Sequence, residues 1–218
     1  MSDTPSLIIA IDGTLASGKG TLARGIAEDC GLPHLDTGLI YRAVGKACLD
    51  GGIDPDNAIA AAELATGLDL NLLDPSVLRT AEVGQYASRV AIHPPVRKAL
   101  FELQRDFAFQ PGGAVLDGRD IGTVVCPEAH VKFWVDADIK ARAERRTAEL
   151  LAKGEHMTVE TMLAQLQERD ERDRNRAVAP MKPAEDAHLL DTTHLSIDAA
   201  REKARHIVDQ VRARLASR

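Results

Sequence analysis

A glycine-containing loop with one lysine is the first group of residues able to do chemistry. It has the spacing GxxxxGK and runs through Gly13, Thr14, Leu15, Ala16, Ser17, Gly18, Lys19, Gly20 and Thr21. Glycines let backbone N–H groups turn toward a phosphate, a helix N-terminus adds positive potential, and the lysine brings a mobile charge to the terminal phosphates. The loop therefore predicts binding of the phosphates of ATP.

The same loop says less about a metal ion. Gly20 stands where the strict pattern has Ser or Thr, so direct metal coordination by that residue is absent. We expect Mg²⁺ to be held largely through water and nucleotide, with the Thr21 hydroxyl near the metal-bridged phosphates. The alternative is a glycine-rich turn without a ligand, which the combination of strand, lysine and helix disfavours.

Two charged groups could bind a second anion. Asp117-Gly118-Arg119-Asp120 follows an apolar run and places a guanidinium beside carboxylates. Farther on, Met162 and Leu166 lie on the inward stripe of a predicted helix, and steps of seven from that stripe reach Arg169, Asp173 and Arg176. The stripe becomes charged without changing face, so we expect this end of the helix to face a polar cleft. The alternative is a set of i,i+4 salt bridges on the protein surface, such as Glu168–Arg172 could form.

Further residues are ambiguous on their own. Arg142, Arg145 and Arg146 cluster on one predicted helix, where they are either surface residues or a group that closes over a transferring phosphoryl. His34 and His130 flank predicted strands, and we interpret both as structural.

The elements that must position these residues alternate between strand and helix. Strands are predicted at Leu7–Ile11, His34–Asp36, Ala114–Asp117, Val131–Val135 and His188–Leu190. Helices follow most of them, and residues 54–109 carry helical patterns without a convincing strand. This alternation predicts an α/β fold: a parallel sheet with helices on both faces, a mainly helical insert, and ligands at the carboxyl ends of the strands.

Composition narrows the class of protein. The 218 residues carry a net charge of −6, which argues against a protein that coats nucleic acid. The apolar runs are too short for a membrane span, the N-terminus has no basic segment typical of a secretion signal, and the three cysteines have no CxxC spacing. We expect a cytoplasmic protein whose anionic ligands are held by local arginines.

The motifs also separate classes of nucleotide-binding protein. A GTPase needs Asn-Lys-x-Asp, but the asparagines precede Ala, Leu and Arg. A large motor ATPase needs a longer chain. A kinase of a small acceptor is favoured over a nucleotide-binding switch or an adaptor with a degenerate loop, and we expect neither a covalent intermediate nor a required histidine.

Four blocks in order carry a resemblance to a known family. They are Ile11-Asp12-Gly13 with Ser17 to Thr21, Leu35 to Gly38 with Tyr41-Arg42, Asp117 to Val125, and Glu168 to Arg176. Together they resemble the bacterial cytidylate kinases, P-loop nucleoside monophosphate kinases, over nearly the whole chain. The resemblance implies transfer of the ATP γ-phosphoryl to CMP or dCMP by a monomer, a single domain with an acceptor-binding insert at about 54–110 and a lid at about 142–157.

The resemblance also implies roles for particular residues. Lys19, Arg42, Arg119 and Arg146 would be catalytic. The acceptor would be bound by Thr37, Tyr41, Arg42, Ser88, Arg97, Arg119, Asp120, Arg169, Asp173 and Arg176. Asp120 suits the cytosine amino group, with Arg97 and Ser88 donating toward N3 or O2.

The implied roles of the other acceptor residues concern phosphate and sugar. Arg42, Arg119 and Arg176 would bind the acceptor phosphate, and Arg169 and Asp173 the ribose. A different nucleoside monophosphate, shikimate or gluconate is the competing acceptor.

The chain departs from the family pattern in two places. Thr14 and Ala16 stand where the family usually has Pro and Gly, which alters the turn but keeps the other loop glycines. The stretch between Gly67 and Thr80 is shorter than the family usually has, so we expect an entirely helical insert without a β element.

Overall fold

A five-stranded parallel sheet lies at the centre of residues 6–217, the part of the chain that the computed structural model describes. Its order is β2-β3-β1-β4-β5. The strands are β1 (Leu7–Gly13), β2 (His34–Asp36), β3 (Gly113–Gly118), β4 (Val131–Asp136) and β5 (His188–Asp191). All five strands were predicted, and the parallel pairing confirms the α/β fold. Most of the N-terminal segment examined for a secretion signal lies outside the described residues.

Helices cover both faces of this sheet. They are α1 (Lys19–Cys30), α2 (Thr37–Asp50), α3 (Ala58–Ala65), α4 (Pro75–Leu78), α5 (Ala81–Val90), α6 (Pro94–Ala108), α7 (Ile139–Leu151), α8 (Val159–Asn175) and α9 (Ile197–Ala216). A 3₁₀ turn spans Leu70–Leu72. Across residues 54–110, all of them described, the chain forms helices and turns without a strand, which confirms the expected helical stretch.

One short element was not predicted. Ile121–Val125 forms a single π-helical turn directly after Asp120. Its residues Ile121-Gly122-Thr123-Val124-Val125 carry no helical periodicity over so short a stretch, so the sequence indicates only a loop.

The central strand β1 separates two apolar cores. Ile8 and Ala10 point to the core formed with α2, α3 and α6, whereas Ile9 and Ile11 point to the core formed with α1 and α9. Successive side chains of a strand face opposite sides, so a strand covered on both faces must be apolar throughout. This explains the unbroken run that precedes the phosphate loop.

A third, smaller core joins α7 to α8. It consists of Ala143, Leu150, Met162 and Leu166, all buried. The α8 helix begins at a Thr158 cap, whose hydroxyl accepts the Thr161 N–H at 3.2 Å. The two helices therefore form a hairpin with its own apolar contacts beside the sheet.

Among residues 6–217, no helix combines the length and the apolar character that crossing a membrane requires.

Candidate active site

The phosphate loop connects the end of β1 to the start of α1, as predicted. A Cβ at Gly13 would lie 1.9 Å from the Val135 carbonyl oxygen, so only glycine fits there. Gly18, with φ of 87°, precedes the first residue of α1. Lys19 Nζ and Ser17 Oγ both donate to the Thr14 carbonyl oxygen, at 3.2 and 3.0 Å. These contacts close the loop around the lysine.

The two departures from the family pattern have distinct structural effects. Thr14 is buried, and its hydroxyl donates to Asp136 Oδ1 at 2.6 Å, which ties the loop to the end of β4. Ala16 has φ of 61°, a left-handed conformation that costs an L-residue roughly 1–2 kcal/mol. The loop thus gains an anchor at one position and carries backbone strain at the other.

A cavity of about 250 Å³ opens beside this loop. Its cationic lining residues are Lys19, Arg24, Arg42, Arg79, Arg119, Arg146 and Arg169. Asp36, Asp117 and Glu149 are the acidic ones. Such an excess of positive charge around one cavity is suited to a polyanion.

The pKa values of two cations in the phosphate cavity are lowered, as expected where positive charge exceeds negative charge. Burial lowers the pKa of Lys19 to about 7, and the charge of Arg119 acts in the same direction. Burial and the neighbouring Arg169 and Arg146 also lower the pKa of Arg42. Phosphate groups placed among these cations would remove the repulsion between them.

A second, narrower cavity of about 60 Å³ adjoins the first. Nine of the ten predicted acceptor residues line it: Thr37, Tyr41, Ser88, Arg97, Arg119, Asp120, Arg169, Asp173 and Arg176. The tenth, Arg42, lines the phosphate cavity instead. Arg119 and Arg169 line both, so they form the wall shared by the two cavities.

Ion pairs order the narrow cavity. Asp120 accepts from Arg97 and, at 2.9 Å, from Arg176. Asp173 accepts from Arg119 Nε at 3.2 Å. Burial alone would raise the pKa of Asp173, but Arg119 and the other arginines outweigh it and hold that pKa below its usual value. Both carboxylates are thus oriented acceptors at the cavity wall.

Arg176 has two hydrogen-bond partners at the wall of the narrow cavity. Its Nε donates to the Ala179 carbonyl oxygen at 2.5 Å, and its Nη2 donates to Asp120. These contacts join Arg176 to the carboxylate of Asp120 at the wall of the narrow cavity.

The α8 helix carries the predicted change from apolar to charged along one face. Met162 and Leu166 pack in the third core, and Arg169, Asp173 and Arg176 continue into the narrow cavity. The surface pair Arg172–Glu168 also exists, on a different face. The prediction that this end of the helix faces a polar cleft is confirmed.

The structure separates the three arginines of α7. Arg146 lines the phosphate cavity. Arg142 is buried, donating to Asp170 at 2.7 Å and to the Leu15 carbonyl oxygen at 3.3 Å, and Arg145 donates to the Thr192 carbonyl oxygen at 2.7 Å. Of the two alternatives for these arginines, the structure as it stands favours separate roles, because Arg142 pairs with α8, Arg145 contacts the segment after β5, and only Arg146 lines the phosphate cavity.

Sequence reasoning missed an ion pair at the phosphate cavity. Arg79 Nη2 donates to Asp36 Oδ2 at 2.6 Å, and both residues line the cavity. Asp36 ends a strand at the sheet edge that holds the other site residues, which is a usable signal. Arg79 lies in the helical insert and carries no such signal.

The two histidines differ in their surroundings. His130 Nδ1 accepts the Ile8 N–H at 3.1 Å, which fits the structural interpretation. His34 Nε2 lies 2.8 Å from Asp117 Oδ2, and Asp117 lines the phosphate cavity. His34 therefore contacts a site carboxylate, which its position in the sequence did not indicate.

A third cavity, of about 430 Å³, lies on the other side of the phosphate loop. It is bounded by the start of α1, by Arg145 and Glu149 of α7, and by the segment that leads into α9. Leu22, Leu195, Ile197 and Ala200 make part of its wall apolar. Its size and mixed lining are those of a small-molecule site.

A phosphate loop at the edge of a parallel sheet, with an arginine wall between two cavities, defines a P-loop kinase. The profile of the family "Cytidylate kinase" matches residues 9–212. The chain belongs to the cytidylate kinase family.

Individual relatives support this placement. The chain is 53% identical over 206 residues to the cytidylate kinase of Brucella suis biovar 1 (strain 1330), covering 94% of each chain. It is 55% identical over 207 residues to that of Bradyrhizobium sp. (strain ORS 278), covering 95% of this chain and 98% of the relative.

Solved structures are more distant and bear on the fold alone. An uncharacterized protein from Eubacterium ventriosum ATCC 27560 superposes with a TM-score of 0.55 at 13% identity, over 94% of this chain and 99% of the other. A sugar kinase from Janibacter sp. HTCC2649 superposes with a TM-score of 0.50 at 15% identity, over 96% and 98%.

Proposed function

We propose that this chain transfers the γ-phosphoryl of ATP to the phosphate of CMP or dCMP, which yields ADP and CDP or dCDP. Membership of the cytidylate kinase family supports the reaction. The observation that carries the assignment to this site is the arginine wall, Arg119 and Arg169, between a phosphate cavity and a narrow cavity lined by Asp120.

The donor nucleotide binds across the phosphate loop. Its phosphates contact the backbone of Gly13 to Thr21 and the Lys19 ammonium. Its nucleoside occupies the 430 Å³ cavity beside Leu195 and Ile197. The apolar part of that wall recognises a flat base by packing.

The acceptor binds in the narrow cavity. Asp120, oriented by Arg97 and Arg176, accepts from the amino group at position 4 of cytosine. Uracil presents a carbonyl oxygen there, which a carboxylate repels, so specificity follows from that mismatch. Arg97 and Ser88 donate toward N3 or O2.

The rest of the acceptor meets the charged residues near the shared wall. Arg42 and Arg119 bind its phosphate, and Arg176, which also holds Asp120, is the third arginine that we propose for it. Thr37 and Tyr41 complete the cavity beside the base, and Arg169 and Asp173 contact the ribose.

Catalysis in this site consists of alignment and charge stabilisation. The attacking group is an ionised phosphate oxygen, which needs no base, and the transition state is loose. Lys19, Arg42, Arg119 and Arg146 stabilise the charge that is shared between donor and acceptor. The insert at about 54–110 and the lid at about 142–157 close over both substrates and exclude water.

The donor set beside the loop fits Mg²⁺. Mg²⁺ in kinases retains several waters and takes one or two carboxylates together with phosphate oxygens. Asp117, with Oδ1 3.8 Å from the position of a Cβ on Gly20, faces the loop, and the Thr21 hydroxyl lines the same cavity. Asp117 and Thr21 would hold the ion through water. When bound, Mg²⁺ neutralises phosphate charge.

Other properties of the chain follow from the proposal. Its partners are small molecules, ATP and CMP or dCMP, and we propose a monomer. Its cysteines are unpaired among the described residues, with Cys48 and Cys126 buried, which suits the reducing cytoplasm that we propose as its location.

The test is ADP release from Mg-ATP with CMP, dCMP, UMP, AMP and GMP in turn. We expect turnover with CMP and dCMP. Asp120→Asn keeps the side-chain shape but presents an amide, so it should lose CMP activity and gain relative activity with UMP. Asp106→Asn, at an exposed position of α6, is the matched control and should behave as the wild type.

Two results would overturn the assignment. Wild-type activity with AMP, or with none of the five acceptors, would show that the acceptor is wrong. An unchanged ratio of CMP to UMP turnover in Asp120→Asn would show that Asp120 does not read the base.

A further inference from the structure

Asp12 is a buried carboxylate that the mechanism above does not use. It is 4% exposed and lies on the central strand β1, directly before Gly13 of the phosphate loop. Its neighbours in the sheet are Gly118 on β3 and Trp134 on β4. A buried carboxylate at this position has a high desolvation cost, so its contacts need an explanation.

Both oxygens of Asp12 accept from backbone N–H groups of one distant segment. Ile121 N donates to Oδ1 at 2.8 Å, and Gly122 N donates to Oδ2 at 2.7 Å. These are the first two residues of the π-helical turn that follows Arg119 and Asp120. One side chain thus joins the donor loop to the acceptor-binding residues.

The contact requires a carboxylate rather than any polar group. A carboxylate offers two acceptor oxygens in one plane, which matches two consecutive N–H groups. An asparagine would accept one of them and turn its own N–H₂ toward the other. Burial raises the pKa of Asp12 to about 7, and the two N–H bonds oppose this shift.

We infer that Asp12 is a positioning residue that fixes the acceptor-binding loop relative to the phosphate loop, and thereby the approach of the two phosphates. The inference rests on the proposed function. Asp12 lines neither the phosphate cavity, the narrow cavity nor the 430 Å³ cavity, so its loss should change alignment more than the affinity for either substrate alone. A displacement of about 1 Å between reacting groups can cost on the order of 100-fold in rate.

The test separates alignment from binding. In Asp12→Asn we expect kcat with the best acceptor to fall by about 10- to 100-fold, while calorimetric Kd values for ATP alone and CMP alone stay within about threefold of wild type. The ratio of acceptor-independent ATP hydrolysis to phosphoryl transfer should rise, because water competes better with a displaced acceptor. A merely structural loss would not shift that ratio.

Two further variants sharpen the result. Asp138→Asn alters another carboxylate that accepts two consecutive N–H groups, those of Lys140 and Ala141 at the start of α7, and kcat should not change. Gly122→Ala keeps every hydrogen-bonding group but places a Cβ 3.4 Å from Asp12 Oδ2 and 3.1 Å from Lys132 Cδ. This variant crowds the same contact without removing a hydrogen-bonding group, and we expect a smaller fall in kcat.

The outcomes are distinguishable. Loss of kcat with retained affinities supports the inference, whereas wild-type kcat in both Asp12→Asn and Gly122→Ala overturns it. If Asp12→Asn does not fold, Gly122→Ala alone decides. An inactive wild-type enzyme with every acceptor would refute the proposed function instead, and activity with another acceptor would leave the comparison of variants intact.

Discussion

Lys19, the lysine of the phosphate loop, is in an unusual electrostatic state. It is buried among arginines, and its pKa is lowered to about 7 by that burial and by Arg119. The protonated form is the one that attracts a polyphosphate. Binding of the anion restores a higher pKa, so the complex takes up a proton whenever Lys19 was neutral beforehand.

This gives a pH prediction with a definite sign. As pH rises above 7, the affinity for ADP should fall, by at most about tenfold per pH unit, until the pKa of the complex is passed. Calorimetry in buffers of different ionisation enthalpy should show proton uptake on binding between pH 7 and about 9. In Lys19→Met, binding should be weaker and without this pH dependence. A wild-type affinity that is flat over the range would contradict the lowered pKa.

At the same scale, the sequence predicts some site residues and not others. Asp120, Arg119 and Arg169 were found because they follow a strand or continue a helical stripe. Arg79 and Asp36 are 43 positions apart and meet only because the insert folds back over the sheet edge. A single sequence offers no local pattern for such a pair.

Among the elements, α8 couples folding to the acceptor cavity. Leu166, which is 1% exposed, packs against α7, and Arg169 and Asp173 lie three and seven positions farther along. The apolar contact therefore sets where the charged residues stand. Leu166 should contribute as much to the free energy of unfolding as other core leucines do.

Leu166→Ala should cost about 3 kcal/mol of unfolding free energy, because it leaves a cavity in a small core. The KM for CMP should rise more than the KM for ATP, since α8 carries acceptor residues. Denaturant titration and steady-state kinetics measure the two effects. Val159→Ala, on the first turn of the same helix, is the control and should stay within about 0.5 kcal/mol of wild type. A larger effect on ATP than on CMP would show that α8 does not position the acceptor.

Most elements could be predicted because their periods are strong. Strand β1 is apolar on both faces, and α8 has an apolar stripe with helical periodicity. The directions of the three α7 arginines could not be predicted, because Arg142, Arg145 and Arg146 have the same side chain and lie close together in the sequence. Their directions depend on loops at Leu15 and Thr192. The π-helical turn at Ile121–Val125 likewise has a distant partner, Asp12, in addition to its own backbone hydrogen bonds.

The molecule as a whole is acidic, yet its site is basic. A net charge of −6 coexists with seven cationic residues around the phosphate cavity. The net charge therefore says little about the ligands of this site, which the local arginines indicate.

The place of β1 in the sheet has a consequence for how the folded chain opens. β1 is hydrogen-bonded to β3 on one side and β4 on the other, whereas β2 and β5 are edge strands. Local opening begins where few contacts must break, so amides of β1 should exchange with deuterium last, and those of β5 and of the helices at 58–78 much earlier. Exchange monitored by mass spectrometry measures this order, and equal rates in β1 and β5 would contradict it. On warming, the two edges of the sheet then separate before its centre, and the strand that carries the phosphate loop is the last to lose its structure.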